Sequence, residues 1–204
     1  MEKDITIGIT GGIGAGKSVV SRILRCNGFF VYDCDSRAKF LMETDLDIIR
    51  DLKEGVGEDI YSTDNRIEKK LLADRMFSDL NVRRYVNSVV HAAVRKDIGR
   101  CRREIPGYLF IESAILASSG LDNICNSIWI VEASARKRME RVAARSNLSA
   151  SQIEKRMESQ AREFELLKDG STIELLNDGN NPILGEILKL TDKFINHQTY
   201  ILPC

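Results

Sequence analysis

Residues 5–26 read ITIGITGGIGAGKSVVSRILRC. This stretch contains the pattern G-x-x-x-x-G-K-[ST], which binds nucleotide phosphates when it connects a strand to a helix. Four residues occupy the fixed positions of the pattern: Gly11, Gly16, Lys17 and Ser18. The β-branched run Ile5–Thr10 predicts a strand before the loop, and Lys17–Cys26 predicts a helix after it. This context favours a phosphate-binding loop over a glycine-rich turn that has no ligand.

The loop offers several kinds of phosphate ligand. Its glycines allow backbone N–H groups to turn towards an anion, and the N-terminus of the following helix adds partial positive charge. Lys17 is expected to reach the β- and γ-phosphates, and Ser18 is expected to bind Mg²⁺. The residues expected to bind the nucleotide here are Gly14, Ala15, Gly16, Lys17, Ser18 and Val19.

Length and composition limit the kind of protein that carries this loop. The chain has 204 residues, which is enough for one α/β domain with a small insertion. Lys and Arg total 30, as do Asp and Glu, so no basic excess indicates nucleic acid or membrane as a partner. No apolar stretch approaches the ~18 residues of a membrane span, and no signal peptide is visible. We expect a soluble cytoplasmic protein.

The cysteines support the same compartment. They are scattered without C-x-x-C spacing, and only His91 and His197 are available to join them at a metal. An odd, dispersed set argues against a disulfide framework and a zinc site, and it favours reduced thiols. The five cysteines are Cys26, Cys34, Cys101, Cys125 and Cys204.

Short runs of β-branched and aromatic residues alternate with longer amphipathic stretches. The predicted strands are Ile5–Thr10, Phe29–Asp33, Tyr108–Glu112, Ser127–Glu132 and Thr172–Leu176. This βαβα order predicts an α/β fold in which helices flank a parallel sheet. We expect a single domain over residues 1–204, with its core strands in 1–35 and 105–180. The segment from about 45 to 104 is predicted to be a helical substrate-side insertion that includes EKKLLADRMF and NVRRYVNSVVHAAVRKDIGRCRRE.

Two carboxylates follow the second predicted strand, in the segment FFVYDCDSRAKFL. Asp33 and Asp35 stand at the carboxyl end of that strand, where ligands bind in open α/β sheets. A carboxylate there can accept the proton of an attacking hydroxyl or hold Mg²⁺ through water. The alternative is that both residues shape the turn, with Asp35 capping the helix SRAKFLME.

Several segments together point to one enzyme family. In chain order they are GITGGIGAGKSVVSRILRCNGFFVYDCD, LLADRMF, VNSVVHAAVRKDI, RMERVAAR, KRMESQ and LLNDG. Over nearly the whole chain this succession resembles the dephospho-coenzyme A kinases, which begin with TGGIGSGKS and continue to a strand that ends in D-A-D. The loop alone fits many kinases. The loop, the Asp pair, the histidine segment and the R-x-x-x-Q element together are specific.

The resemblance implies ATP-dependent phosphorylation of the ribose 3′-hydroxyl of dephospho-coenzyme A, the last step of coenzyme A synthesis. It implies ATP and Mg²⁺ as cofactors, and we expect a monomer that binds neither nucleic acid nor membrane. The family roles place Lys17 and Ser18 at the phosphates and the metal, and Asp33 and Asp35 at the acceptor hydroxyl. Lys17 and both carboxylates are catalytic candidates, and Asp35 is favoured as the base.

Basic residues are concentrated in SARKRMERVAARSNLSASQIEKR, where only Glu140 and Glu154 are acidic. The cations are Arg136, Lys137, Arg138, Arg141, Arg145, Lys155 and Arg156. By itself such a run is typical of a solvated helix pair, the second helix capped through Ser149 and Gln152. The resemblance implies instead that residues 135–158 form a lid over ATP. In that lid Arg141 would be catalytic, and Arg145 and Arg156 would bind the nucleotide.

The family also places substrate contacts on the histidine segment. His91 lies on a largely apolar helical face, where a lone histidine is more often a packing residue. The resemblance implies that Arg83, His91 and Arg95 contact the acceptor. It also implies that Asn177 and Gly179 face the adenine.

This chain departs from the family pattern at a few positions. Val19 stands where the family usually has threonine, and Ala92 stands where it has proline. Ser118 and Ser146 replace a glutamate and an aspartate. Two other functions remain alternatives: a P-loop kinase of nucleosides or sugars, and a nucleotide-dependent switch. A guanine-reading N-K-x-D segment, expected of a switch, does not occur in the sequence.

Overall fold

The structure, a computed structural model, describes most of the chain. The described residues are 4–146, 148–167, 172–179 and 182–195, with backbone alone for 193–195. They fall into two compact units. The second unit is Asp33–Cys101, and the first contains the described residues before and after it.

A five-stranded parallel sheet forms the frame of the first unit. The strands are β1 (Ile5–Thr10), β2 (Val31–Asp33), β3 (Tyr108–Glu112), β4 (Ser127–Glu132) and β5 (Thr172–Leu176). Their order in the sheet is β2-β3-β1-β4-β5, which places β1 at the centre. Ile7 of β1 is in register with Phe110 of β3 on one side and with Ser127 of β4 on the other. The parallel α/β sheet predicted from the sequence is confirmed.

The helices account for the rest of the predicted pattern. In chain order they are α1 (Lys17–Cys26), α2 (Cys34–Thr44), α3 (Leu46–Val56), α4 (Lys69–Ser78), α5 (Leu80–Glu104), α6 (Ala135–Arg145), α7 (Ala150–Glu165) and α8 (Ile183–Ile195). The predicted helix over Lys17–Cys26 is confirmed, as is helical structure in EKKLLADRMF and in the long segment that follows it. The capping box through Ser149 and Gln152 at the start of α7 is also confirmed.

An aromatic cluster lies at the centre of the first unit's core. The Phe110 ring makes edge-to-face contacts with Phe29 and Trp129, with ring centroids 5.3 and 5.4 Å apart. Val20 and Leu24 of α1 are fully buried in the same cluster. Burial on both faces explains why β1, β3 and β4 consist largely of apolar residues.

One predicted boundary is wrong. The second strand was expected over Phe29–Asp33, but β2 begins at Val31. Phe29 instead completes the end of α1, because its N–H donates to the Leu24 carbonyl over 3.0 Å while Gly28 adopts a φ of +82°. This is the Schellman arrangement, in which the residue after the left-handed glycine still belongs to the helix end.

The second unit is helical, and a buried carboxylate connects two of its helices. Asp97 of α5 is only 5% exposed. It accepts a 2.6 Å hydrogen bond from Arg37 Nε of α2 and a 2.5 Å hydrogen bond from Arg100 of its own helix. A carboxylate buried this far requires such partners. Arg37 and Asp97 therefore fix α2 against α5 inside this unit.

The described cysteines differ in their surroundings. Cys26 and Cys125 are free thiols, whereas Cys204 lies outside the described residues. Burial raises the pKa of the Cys125 thiol to about 12, so this cysteine stays protonated at neutral pH. Among the helices that the structure describes, none is both long and apolar enough to cross a membrane.

We expect Asp97→Ala to destabilise the second unit by about 2 kcal/mol, because two guanidinium groups lose their shared acceptor. Urea denaturation with a helical probe measures the change. Asp47→Ala is the matched control, since this α3 carboxylate is 73% exposed and pairs with Arg50 at the surface. Equal effects of the two substitutions would contradict the role given to Asp97.

Candidate active site

Two left-handed glycines shape the loop between β1 and α1. Gly14 has a φ of +80° and Gly16 a φ of +110°, a region that glycine adopts without steric strain. Gly14 lies in a turn in which the Ala15 N–H donates to the Gly12 carbonyl over 3.0 Å. Gly16 is the N-cap residue, directly before the first residue of α1. A side chain at either left-handed position would strain the loop.

Side chains from elsewhere in the first unit hold the carbonyl groups of this loop. Arg141 Nη1 donates to the carbonyls of Gly14 and Ala15, over 3.3 and 3.2 Å. Asn177 Nδ2 donates to the Ala15 carbonyl over 2.8 Å. In a trans peptide the carbonyl and the next N–H point in opposite directions. The Gly16 N–H is therefore directed away from Arg141 and Asn177, where it is available to an anion.

Lys17 begins α1 and is tied to its own loop. Its Nζ donates to the Gly11 carbonyl over 2.6 Å. An ammonium group carries three donors, so this bond is compatible with a simultaneous phosphate contact. The first turn of α1 contains no acidic residue, so the helix does not neutralise its own positive end. The start of α1 is thus electrostatically suited to a phosphate.

Ser18, the second residue of α1, suits a magnesium ion. Its side chain lies on the exposed surface, and a hydroxyl is a hard oxygen donor of the kind Mg²⁺ prefers. Within the described part of the chain no cluster of three or more His, Cys, Asp or Glu side chains could hold a metal. The ion would take its remaining ligands from phosphate oxygens and water, as Mg²⁺ commonly does.

The three arginines assigned to the lid occupy different environments. Arg141 of α6 is half-buried, and its Nη2 also donates to the Asn177 carbonyl over 2.9 Å. Arg145 at the end of α6 and Arg156 within α7 are both exposed. Neither forms an ion pair with another described residue. Arg141 is engaged with the loop, while Arg145 and Arg156 present their charge to solvent.

Asn177 and Gly179 follow β5, where the family resemblance placed adenine contacts. The Asn177 N–H donates to the Glu132 carbonyl over 2.7 Å, which continues the pairing of β5 with β4. Because its side chain holds the Ala15 carbonyl, Asn177 connects the end of β5 to the phosphate loop. Gly179 is exposed and left-handed, with a φ of +83°.

Sequence reasoning gave no role to three residues that contact the edges of the site. Arg138 Nε donates to the Ile13 carbonyl over 3.0 Å, and the Ile13 N–H donates to Gln160 Oε1 over 2.6 Å. Glu163 accepts the Ser118 N–H over 3.1 Å. A signal was present for two of them. Arg138 lies one turn before Arg141, and Gln160 is the last residue of the R-x-x-x-Q element.

In the second unit, Asp33 and Asp35 have different surroundings. Asp33 caps α2, because its carboxylate accepts the Ser36 N–H over 3.1 Å and the Ser36 hydroxyl over 2.8 Å. Asp35 lies in the first turn of α2, is exposed, and accepts no hydrogen bond from a described residue. The alternative interpretation, in which Asp35 caps this helix, is wrong. The helix starts earlier, at Cys34, which moves the capping position to Asp33.

The acceptor candidates Arg83, His91 and Arg95 all lie on α5. The buried stripe of this helix includes Val86, Val90 and Val94. His91 is half-buried beside that stripe, and Arg83 and Arg95 are exposed. His91 and Arg95 are one turn apart, so they share a side of the helix. This placement is compatible with a packed histidine flanked by solvent-facing cations.

Comparison with known proteins identifies the family. The sequence profile described as Dephospho-CoA kinase matches residues 5–182. The chain belongs to the dephospho-CoA kinase family. A dephospho-CoA kinase of Porphyromonas gingivalis is 40% identical over 189 residues, covering 92% of this chain and 93% of that protein.

Solved structures agree with this family at the level of the fold. The crystal structure of TT1252 from Thermus thermophilus has a TM-score of 0.78 and 30% identity, and the match covers 94% of this chain and 98% of that one. A dephospho-CoA kinase from Campylobacter jejuni has a TM-score of 0.64 and 20% identity, over 94% of this chain and 97% of that one. The latter similarity concerns the fold alone.

The departures from the dephospho-CoA kinase pattern have local structural accounts. The Ser118 N–H is bound by Glu163 of α7, so a carboxylate still reaches this position from another helix. The Ser146 hydroxyl donates to the Val142 carbonyl over 2.8 Å at the end of α6. Val19 is 45% exposed, so the threonine methyl or hydroxyl it replaces would face solvent.

Lys17→Ala should reduce turnover by at least a hundredfold, because the phosphates lose the positive charge of the ammonium group. The melting temperature should not change, because the substitution leaves the apolar core intact. Steady-state kinetics and thermal unfolding measure the two effects. Lys189→Ala on α8 is the control, since Lys189 is an exposed lysine of the same unit. A Lys17→Ala variant that keeps more than about a tenth of the activity would refute the assignment of the loop.

Proposed function

We propose that this protein transfers the γ-phosphoryl group of ATP to the ribose 3′-hydroxyl of dephospho-coenzyme A. The observation that carries the proposal is a phosphate loop of suitable geometry in a chain that matches the dephospho-CoA kinase family from residue 5 to residue 182. We assign the ATP phosphates to the first unit and the acceptor to the second.

The ATP phosphates bind at the loop and at the start of α1. The amide of Gly16 and the ammonium of Lys17 face them, and both are held in place by the contacts of the loop. The Ser18 hydroxyl would hold Mg²⁺, which would supply positive charge to neutralise the phosphate oxygens. These groups stabilise the negative charge that develops on the bridging oxygen during transfer. This stabilisation lowers the activation barrier of the phosphoryl transfer.

Asp35 acts as the base. The acceptor hydroxyl oxygen attacks the γ-phosphorus, its proton passes to the Asp35 carboxylate, and the bond from the γ-phosphorus to the bridging oxygen breaks to release ADP. Asp35 suits this role because its exposed carboxylate has no hydrogen-bond donor among the described residues. The Asp33 carboxylate is already occupied by Ser36, which favours a positioning role. Arg83, His91 and Arg95 bind the acceptor from α5.

Residues 135–158 act as the lid. Arg145 and Arg156 supply the charge that meets the phosphates, because both guanidinium groups are exposed. Arg141 contributes by holding the Gly14 and Ala15 carbonyls, and Asn177 and Gly179 border the adenine. We further propose that the protein is a cytoplasmic monomer and that the helical segment at about 45–104 is an insertion in one kinase domain.

An ADP-release assay tests the function. Purified protein with ATP and Mg²⁺ should release ADP with dephospho-coenzyme A and not with a panel of nucleosides and sugars. Product analysis should locate the new phosphate on the ribose 3′-oxygen. Faster ADP release with a nucleoside or a sugar would favour the other small-molecule kinase. ATP binding without an active acceptor would favour a nucleotide-dependent binding protein.

Asp35→Asn should lower kcat by about a hundredfold and change ATP affinity by no more than a few fold, because the amide cannot accept the hydroxyl proton. Asp33→Asn is the matched control. It keeps the helix cap, since asparagine caps as well as aspartate, so its kcat loss should be smaller and should vary with Mg²⁺ concentration. The larger loss in Asp33→Asn would reverse the assignment of the base.

Hydrogen exchange tests the lid. Peptides from α6 and α7 should exchange more slowly when a non-hydrolysable ATP analogue and dephospho-coenzyme A are both bound, because phosphate relieves the repulsion among the lid cations. Arg145→Ala should lower kcat about tenfold, whereas Arg136→Ala should not, since Arg136 is 80% exposed and pairs with Glu140. Unchanged exchange together with normal kinetics of Arg145→Ala would make this segment a solvated helix pair.

A further inference from the structure

The peptide groups on either side of Ile13 are held by two residues of the helices that follow β4. The Ile13 N–H donates to Gln160 Oε1 of α7 over 2.6 Å. The Ile13 carbonyl accepts from Arg138 Nε of α6 over 3.0 Å. Both ends of one loop residue are therefore bound by side chains more than a hundred positions away in the sequence, at separations of 147 and 125 residues.

These two bonds fix the groups at the opposite ends of the same peptides. In the Gly12–Ile13 peptide the carbonyl points away from Gln160, and it accepts the Ala15 N–H that closes the turn. In the Ile13–Gly14 peptide the carbonyl points to Arg138, so the Gly14 N–H points the other way. No described residue accepts that Gly14 N–H. The two side chains thus set both the turn and an amide directed away from the lid helices.

Arg138 occupies a position that is unfavourable for a charged group. Its Nη2 is buried and has no hydrogen-bond partner among the described residues. Burial lowers the pKa of the Arg138 guanidinium, and the Glu132 carboxylate partly opposes that shift. Its guanidinium also lies against Gly12, where a Cβ atom would clash with it. Burying an unpaired donor is destabilising, so the contact with Ile13 is not explained by stability.

We propose that Arg138 and Gln160 form a clamp on Ile13 that holds the phosphate loop in its ATP-binding conformation. Both are positioning residues: they act on ATP through the loop backbone and do not touch the phosphates. The inference rests on the proposed function only in requiring that the loop binds ATP. The clamp makes ATP affinity depend on α6 and α7, even where their side chains are remote from the nucleotide.

Substitutions that remove one contact each test the clamp. Gln160→Met deletes the acceptor at similar length. Arg138→Met deletes the donor, while Arg138→Lys retains a donor and a charge. The matched controls are Glu154→Gln on α7 and Arg136→Met on α6, both at exposed positions. Calorimetric titration with a non-hydrolysable ATP analogue and Mg²⁺ gives Kd, and thermal unfolding reports whether each variant folds.

We expect Gln160→Met and Arg138→Met to raise the Kd of the ATP analogue about tenfold, which corresponds to ~1.4 kcal/mol. Arg138→Lys should raise this Kd by less than Arg138→Met does. The control variants should bind the ATP analogue with an unchanged Kd. The KM for dephospho-coenzyme A should stay within about twofold. In Gln160→Met the Ile13 amide should also exchange its hydrogen faster in an NMR measurement without nucleotide, because its acceptor is gone. An unchanged Kd in both Met variants would overturn the clamp.

Gly12→Ala gives a second test that leaves the clamp residues intact. The added methyl group displaces the Arg138 guanidinium, so ATP affinity should fall in the wild-type background. In the Arg138→Met background, Gly12→Ala should raise the Kd for ATP by less than about twofold, because the guanidinium that clashes with the added methyl group is absent. Additive effects would overturn the clamp, as would a fall in kcat at unchanged Kd. Normal ATP binding without phosphorylation of dephospho-coenzyme A would instead refute the proposed function, and the Kd series would still decide the clamp.

Discussion

The antiparallel arrangement of C=O and N–H in each peptide is the constraint on which this site depends. A loop that directs its N–H groups at an anion must direct its carbonyls elsewhere, and buried carbonyls require donors. Here most of the donors are side chains from distant parts of the first unit. The carbonyls from Ile13 to Ala15 accept hydrogen bonds from Arg138, Arg141 and Asn177. The Gly11 carbonyl accepts one from Lys17. The phosphate loop is therefore held by side chains from outside it as well as by its own glycines.

The sheet determines where those donors come from. Because β1 is central and β4 and β5 lie on one side of it, the segments that leave β4 and β5 arrive beside the loop. The helix α6 follows β4, and Asn177 follows β5. Parallel pairing in a fixed register is set by the apolar core around Phe110 and Trp129. The packing of the core thus determines which side chains reach the phosphate loop.

Local patterns in the sequence were sufficient for most elements. The loop signature, the apolar strands and the Ser149 and Gln152 capping box each depend on neighbours within a few residues. One wrong boundary also has a local cause. Phe29 was assigned to a strand because it is aromatic, although the left-handed Gly28 places it in a helix end. The sequence marks Arg138 and Gln160 by their neighbours, but it does not predict their contacts with Ile13. Ile13 is far away in the sequence, and only the fold brings the three residues together.

The bond between Lys17 and the Gly11 carbonyl has a consequence for the catalytic cycle. An ammonium group that already has a partner loses that partner, or shares it, when a phosphate arrives. The net affinity for nucleotide is then the difference between two sets of contacts, and it is smaller than the phosphate contacts alone would give. When ADP departs, the Gly11 carbonyl is available as an acceptor for the lysine. The hydrogen bond to Gly11 therefore compensates Lys17 for the loss of its phosphate contact, and this lowers the free-energy cost of releasing the nucleotide.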